Sequence, residues 1–213
     1  REFESSFGGV TFGGFFNTGN EAPGELTFDQ SANNSNKTGL KFTYSHSELP
    51  VDGLTLTGGL DYLQDETFQE LIQTGRLWVP EVVFDSVAPF IQVDQQLFDD
   101  RVLISGGLRH ESAELQVDDF QTIFSSGSTN DAGGNPEFEK TLFNVGASFE
   151  IIEGTKLYGS FAEGFSLPDV GRVLRAISTP GGDVDDLLDV EPIIADNVEF
   201  GATFNYGGLT ANA

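Results

Sequence analysis

The sequence contains no cysteine and no methionine in 213 residues. Without cysteine there is no disulfide framework and no thiolate metal site. Cations are scarce as well: 10 Lys and Arg stand against 34 Asp and Glu, for a net charge of −24. Nucleic acid is excluded as a partner on that balance, because neutralising phosphates takes clustered Lys and Arg. Long apolar runs are also missing, and no stretch approaches the ~20 residues a membrane helix needs. Catalytic signatures are absent too, with no G-x-S-x-G, H-E-x-x-H or phosphate loop. The two histidines, His46 and His110, fall on separate segments without companion ligands, a poor basis for a metal site. The expectation is a protein that is not an enzyme and carries no cofactor of its own.

What the chain does have is apolar content without long runs. Hydrophobic residues make up 38%, including 20 Phe, alongside 26 Gly, which is too much for a disordered acidic segment. These residues alternate. Runs with a two-residue period centre on Gly39–Ser47, Leu54–Leu63, Val87–Leu97, Arg101–Glu111, Thr141–Ile151, Lys156–Phe165 and Asn197–Tyr206. In Asn197–Tyr206, for example, Val198, Phe200, Ala202, Phe204 and Tyr206 oppose Asn197, Glu199, Gly201, Thr203 and Asn205. Period two places the two sets on opposite faces of a sheet.

The connections have their own rhythm. Leu49–Gly53, Phe98–Asp100, Ile152–Thr155 and Gly207–Gly208 read as tight turns, whereas Asn17–Thr38, Gln64–Ser86, Leu115–Lys140 and Ser166–Asp196 read as long polar loops. Short and long alternate, so in an antiparallel meander every long loop falls on one rim. Soluble domains rarely carry several loops beyond ~12–15 residues. Transmembrane β-barrels do, with strands of ~9–11 residues, short periplasmic turns and long extracellular loops. Aromatics near strand ends (Tyr44, Phe98, Phe149, Tyr158, Phe161 and Tyr206) suit the interfacial girdles of such a wall. The fold expected is all-β: an antiparallel transmembrane β-barrel segment of about eight to ten strands, in contact with outer-membrane lipid and lipopolysaccharide.

Four stretches carry a family resemblance. Leu157-Tyr158-Gly159-Ser160-Phe161-Ala162-Glu163-Gly164-Phe165-Ser166-Leu167-Pro168-Asp169 resembles the "LYxSxxxGFxxPD" signature of TonB-dependent outer-membrane receptors. Ser105-Gly106-Gly107-Leu108-Arg109-His110-Glu111, followed by Val117-Asp118-Asp119-Phe120, resembles their "xGGxRxE" strand. Val190-Glu191-Pro192 through Asn197-Val198-Glu199-Phe200-Gly201 is similar to the "LxPExxxNxExG" stretch that opens a later strand. The run from Gln69 to Pro80, leading into Ala88-Pro89-Phe90, is similar to a loop of the ferric-siderophore branch.

The resemblance implies a barrel of about 22 strands closed by an internal plug. It also implies uptake of a scarce solute, most often a ferric siderophore, energised through TonB, with iron arriving already chelated. The chain opens on Arg1-Glu2-Phe3 with no secretory signal and closes on the start of a strand. The expectation is a partial barrel domain lacking plug, signal peptide and final strands. Two rival functions fit the alternation alone: a passive porin or adhesin barrel, and a soluble carbohydrate-binding β-domain.

Candidate ligand residues follow from the same loops. Arg76 and the single tryptophan, Trp78, lie with Gln73 in one polar loop. Aromatics supply rigid contact area, and Arg binds carboxylates in a bidentate way. Arg172 and Arg175 stand out in an acidic chain and face three fates: the plug, the acidic loop or an anionic chelate. Asp183, Asp185, Asp186 and Asp189 lack the spacing of a calcium loop and are expected to be solvated.

Overall fold

Side by side, the alternating runs build one antiparallel sheet, seen in a computed structural model that describes residues 5–6, 31–72, 75–122, 126–167, 169–187, 192–207 and 209–212. In chain order the strands are β1 (Ser5–Ser6), β2 (Ser31–His46), β3 (Leu54–Leu71), β4 (Arg76–Leu97), β5 (Val102–Val117), β6 (Phe120–Gln121), β7 (Asn130–Asp131), β8 (Glu137–Ile152), β9 (Thr155–Ser166), β10 (Ile193–Tyr206) and β11 (Leu209–Asn212). Nine of them pair in the order β1-β2-β3-β4-β5-β8-β9-β10-β11, and β6 with β7 form a separate hairpin. Two short helices, α1 (Val170–Arg175) and α2 (Val184–Leu187), lie between β9 and β10. Every pairing is antiparallel between neighbours, so the β2–β3, β4–β5, β8–β9 and β10–β11 connections share one rim and the others share the opposite rim.

The short rim is built from strained or glycine-dependent turns. Gly53 and Gly154 take φ of +72° and +81°, and a Cβ at either would strike the carbonyl of Gln96 or Asn205 on the facing strand. Phe98, Asp99 and Asp100 are all left-handed, a conformation that costs about 1–2 kcal/mol per non-glycine residue.

At the long rim the structure corrects the expected loops. Residues 64–86 are not one long loop: β3 runs on to Leu71 and β4 starts at Arg76, the two paired antiparallel, and the Gly75 N–H donates to the Leu71 carbonyl at 2.7 Å. Likewise residues 31–38 belong to β2, and the stretch 166–196 holds both helices. The strands therefore reach 16, 18 and 22 residues in β2, β3 and β4, well beyond the ~9–11 needed to span a bilayer.

Side-chain chemistry marks where the spanning part stops. On one face of β4, Val87, Pro89, Ile91, Val93 and Leu97 end at Asp85, whose carboxylate accepts from the Tyr62 hydroxyl at 2.9 Å and from Gln64. Neighbouring strands turn polar on the same face at Thr38, Ser112 and Glu139. Below that level the face is apolar and exposed: Leu40 is 67% accessible, Val198 72% and Phe200 84%, with Phe42, Leu60, Leu108, Val145 and Phe149 beside them. A contiguous exposed apolar face of this extent needs a partner, and lipid fits a sheet with no closed core behind it. Two of the expected girdle aromatics sit elsewhere. Tyr158 pairs with Ser148 and Gly201 on the polar face, and Phe161 packs at mid-strand against Phe143, with ring centroids 5.2 Å apart.

The opposite face carries ions. Arg109 bridges Asp61 at 2.7 Å and Glu111, while Lys41 reaches Asp61 at 3.5 Å and Lys37 reaches Asp65 at 2.7 Å. Ser86 donates to Glu111, and Ser105 and Gln92 donate to Asp94. Phe90 lies over Gly59, where a Cβ would fall 2.6 Å from the ring. Among the described residues, a packed cluster forms beyond the apolar band. There Val82, Ala113, Leu115, Val117 and Phe138 meet Val170, Leu174 and Ile177 of the β9–β10 connection.

Candidate functional site

The β9–β10 connection is pinned to the polar face of the wall. Asp169 caps α1 by accepting from the Arg172 N–H at 3.0 Å, and Val170, Leu174 and Ile177 form one helical stripe into the cluster. Leu174 is fully buried. The β5–β8 connection is clamped to the same segment: the Gly182 N–H donates to buried Asp131, the Asn135 N–H donates to Asp185, and the Ser126 hydroxyl donates to the Arg175 carbonyl at 3.1 Å. Two segments some fifty residues apart thus fold as one cap.

Between this cap and the start of β4 lies a pocket of about 440 Å³, within the range of small-molecule sites. Arg76, Trp78 and Pro80 form one wall, Asp119, Phe120 and Gln121 a second, and Leu174 with Arg175 the third. The Arg175 guanidinium stacks over the Trp78 ring, 5.8 Å from its centroid. Three of the five candidate residues, Arg76, Trp78 and Arg175, therefore converge. Arg172 does not join them; it lines a separate depression with Ser178 and Pro180. Gln73 lies outside the described residues. The pocket's second wall escaped the sequence, because Asp119–Gln121 reaches Trp78 only through tertiary packing.

A second pocket of about 440 Å³ opens on the other side of α1, where Leu63, Phe84, Phe165 and Val170 surround the Lys37–Asp65 pair. Among the described residues no three His, Cys, Asp or Glu side chains converge on a metal position. His110 contacts the Thr141 hydroxyl, and His46 stacks on Tyr44.

Comparison with known proteins follows the same outline. The family described as TonB dependent receptor-like, beta-barrel, matches residues 2–213. The chain belongs to the TonB-dependent receptor β-barrel family. Members of this family are outer-membrane receptors and transporters. The rhizobactin receptor of Rhizobium meliloti (strain 1021) is 29% identical over 125 residues, covering 54% of this chain and 16% of that protein.

Among solved structures, the copper transporter OprC superposes with a TM-score of 0.64 at 17% identity over 84% of this chain and 29% of its own. The ferric yersiniabactin uptake receptor FyuA of Yersinia pestis gives 0.58 at 14% identity, over 86% and 28%. The hemophore receptor HasR of Serratia marcescens, solved with its hemophore HasA and heme, gives 0.56 at 16% identity over 83% and 30%. These likenesses establish the barrel fold. The chain spans about one sixth of the length of the curated relative and under one third of each barrel.

Proposed function

We propose that this chain is wall and mouth of a longer outer-membrane receptor that captures a ferric siderophore and imports it with energy delivered through TonB. The observation that carries the reading is the mouth pocket of Arg76, Trp78 and Arg175, lying on the polar side of the wall beyond the membrane-spanning band. A solute entering from outside meets this pocket before it meets the Lys41–Asp61–Arg109 network deeper on the same face. The names of the rhizobactin and yersiniabactin receptors support a siderophore as cargo. Iron held by its chelator needs no protein ligands, which is compatible with a cationic and aromatic pocket. The polar face, in this reading, contacts a plug carried by the rest of the receptor, and the apolar face contacts outer-membrane lipid and lipopolysaccharide.

Growth of an iron-starved strain lacking other uptake routes tests this directly. Ferric chelate should support growth only when the receptor and TonB are both present. Arg76→Ala and Trp78→Ala should each weaken chelate binding by about 1–2 kcal/mol without lowering the folded receptor in the outer membrane. Uptake that persists without TonB would make the protein a passive pore.

A further inference from the structure

We infer that the β5–β8 and β9–β10 connections are one gate over this sector of the rim, opening and closing as a single body with the Asp131 carboxylate as its latch; the inference holds whatever solute the receptor takes. Neither connection can hold a shape alone. The β6–β7 hairpin pairs Phe120 with Asp131 and Gln121 with Asn130, and an isolated hairpin of two strands is marginal in water. Helix α1 has six residues and α2 four, far below the ~12–15 that a free helix needs. Order comes from the joint between the two connections. Ala132 and Asp183 form a parallel bridge, in which the Ala132 N–H donates to the Gly182 carbonyl at 3.0 Å and the Val184 N–H donates to the Ala132 carbonyl at 3.2 Å. The segments approach so closely that a Cβ on Gly134 would fall 2.4 Å from the Asp185 carboxylate.

Asp131 sits at the centre of that joint. It is 3% exposed and accepts from the Gly182 N–H at 3.0 Å on one oxygen and from the Thr129 hydroxyl at 2.7 Å on the other. Thr129 is bonded in turn to Thr122, and both are buried. A carboxylate makes hydrogen bonds roughly twice as strong as a neutral acceptor, and removing it strands the donors aimed at it. Apolar seating couples the same two segments. Leu174 and Val184, one from each helix, are fully buried in a cluster that also holds Val117 at the end of β5 and Phe138 at the start of β8. Lifting either connection therefore uncovers the seat of the other, which is the condition for one cooperative unit rather than two independent loops. The pocket walls that the connections supply, Asp119–Gln121 and Leu174 with Arg175, keep their mutual spacing through any such movement.

Hydrogen exchange of the full-length receptor in outer-membrane vesicles, read by mass spectrometry, tests the inference. Leu174→Ala, in the β9–β10 connection, should speed exchange of the Thr122, Ala132 and Asn135 amides at least about tenfold, although all three lie in the β5–β8 connection. Asp131→Ala should speed those amides and the amides of Gly182 and Val184 by a similar factor, while Asp131→Asn, which keeps an acceptor oxygen, should restore part of the protection. Amides of the membrane-spanning strands, such as Ser148 and Ser160, should keep the parent rate in every variant. Acceleration confined to residues 169–187 in Leu174→Ala would overturn the single body and leave two loops that open separately. Unchanged exchange in Asp131→Ala would overturn the latch. If Asp131→Ala does not reach the outer membrane, Gly134→Ala, which wedges the joint against Asp185, reads the same amides with the same two outcomes.

Discussion

Replacing Phe200 with Arg is the most direct test of which way the wall faces. Phe200 lies on the apolar face of β10, 84% exposed, between Val198 and Phe204. It is six residues from Tyr206 at the short rim, which at ~3.3 Å per residue and ~40° tilt is roughly 15 Å of height. The apolar band of such barrels is about 25 Å tall, so Phe200 sits near its middle. An Arg at that depth costs about 2–4 kcal/mol, and losing the lipid contact of the Phe ring adds about 1.5–3 kcal/mol. Glu199 provides the control: it has nearly the same depth but faces Ser160 on the polar side. Glu199→Arg should cost less than about 1 kcal/mol, because that side already accommodates charge. Reversible urea unfolding of the full barrel in phospholipid vesicles, read by heat-modifiable gel mobility, measures both. Equal costs, or a larger cost at Glu199, would refute the assignment of lipid and lumen faces.

Leu174→Ala, emptying a fully buried anchor, should loosen the docking of α1 by about 2–5 kcal/mol. Protease applied to intact cells should then cut between residues 166 and 193 faster than in the parent, whereas Ile72→Ala at the exposed β3–β4 tip should leave that rate unchanged. Arg109→Met strips Asp61 and Glu111 of their shared partner and should destabilise the barrel by about 2–3 kcal/mol, a value discounted because the guanidinium is partly exposed. Adding Glu111→Leu to it should cost less than the two changes summed, and strict additivity in the unfolding free energies would show that the network is not coupled.

The membrane-spanning part of the fold was legible, and the reason is solvent. Where one face meets lipid and the other a polar interior, alternation is enforced at every second residue, so Val87–Leu97 and Asn197–Tyr206 declare themselves. Above the band lipid no longer enforces alternation, and Gln64, Asp65, Glu66, Thr67 and Gln69 show no period at all. The strands persist there through Ser35 and Lys37 on Asp65, and Tyr62 and Gln64 on Asp85. A polar sequence without alternation looks like loop even when its backbone is fully paired. Helix α1 did leave a signal, with Asp169 ahead of apolar residues at 170, 174 and 177, but six helical residues are short for any periodic pattern. Candidate site residues emerged from composition alone, since Trp78 and the long-rim arginines are rare types in this chain. Which of them meet, and that Asp119–Gln121 joins them while Arg172 does not, depends on packing between distant segments.

The distribution of charge links wall and mouth. Thirty-four carboxylates against ten cations would repel one another strongly on a compact surface, but a sheet spreads them along its rims and polar face. On the polar face Lys41 is set against Asp61 on the adjacent strand, and Arg109 reaches the same Asp61 from two strands away, which neutralises charge at the depth where lipid lies behind the wall. That pairing is structural, because Arg109 holds β3 and β5 together across β4 from both sides of its reach. Arg175 belongs instead to a segment that packs over the end of the wall, and it reaches Trp78 because Leu174 is seated in the cluster behind it. Packing of the cap and composition of the pocket are therefore one property: a change that unseats α1 should withdraw Arg175 from the site even though it remains in the sequence.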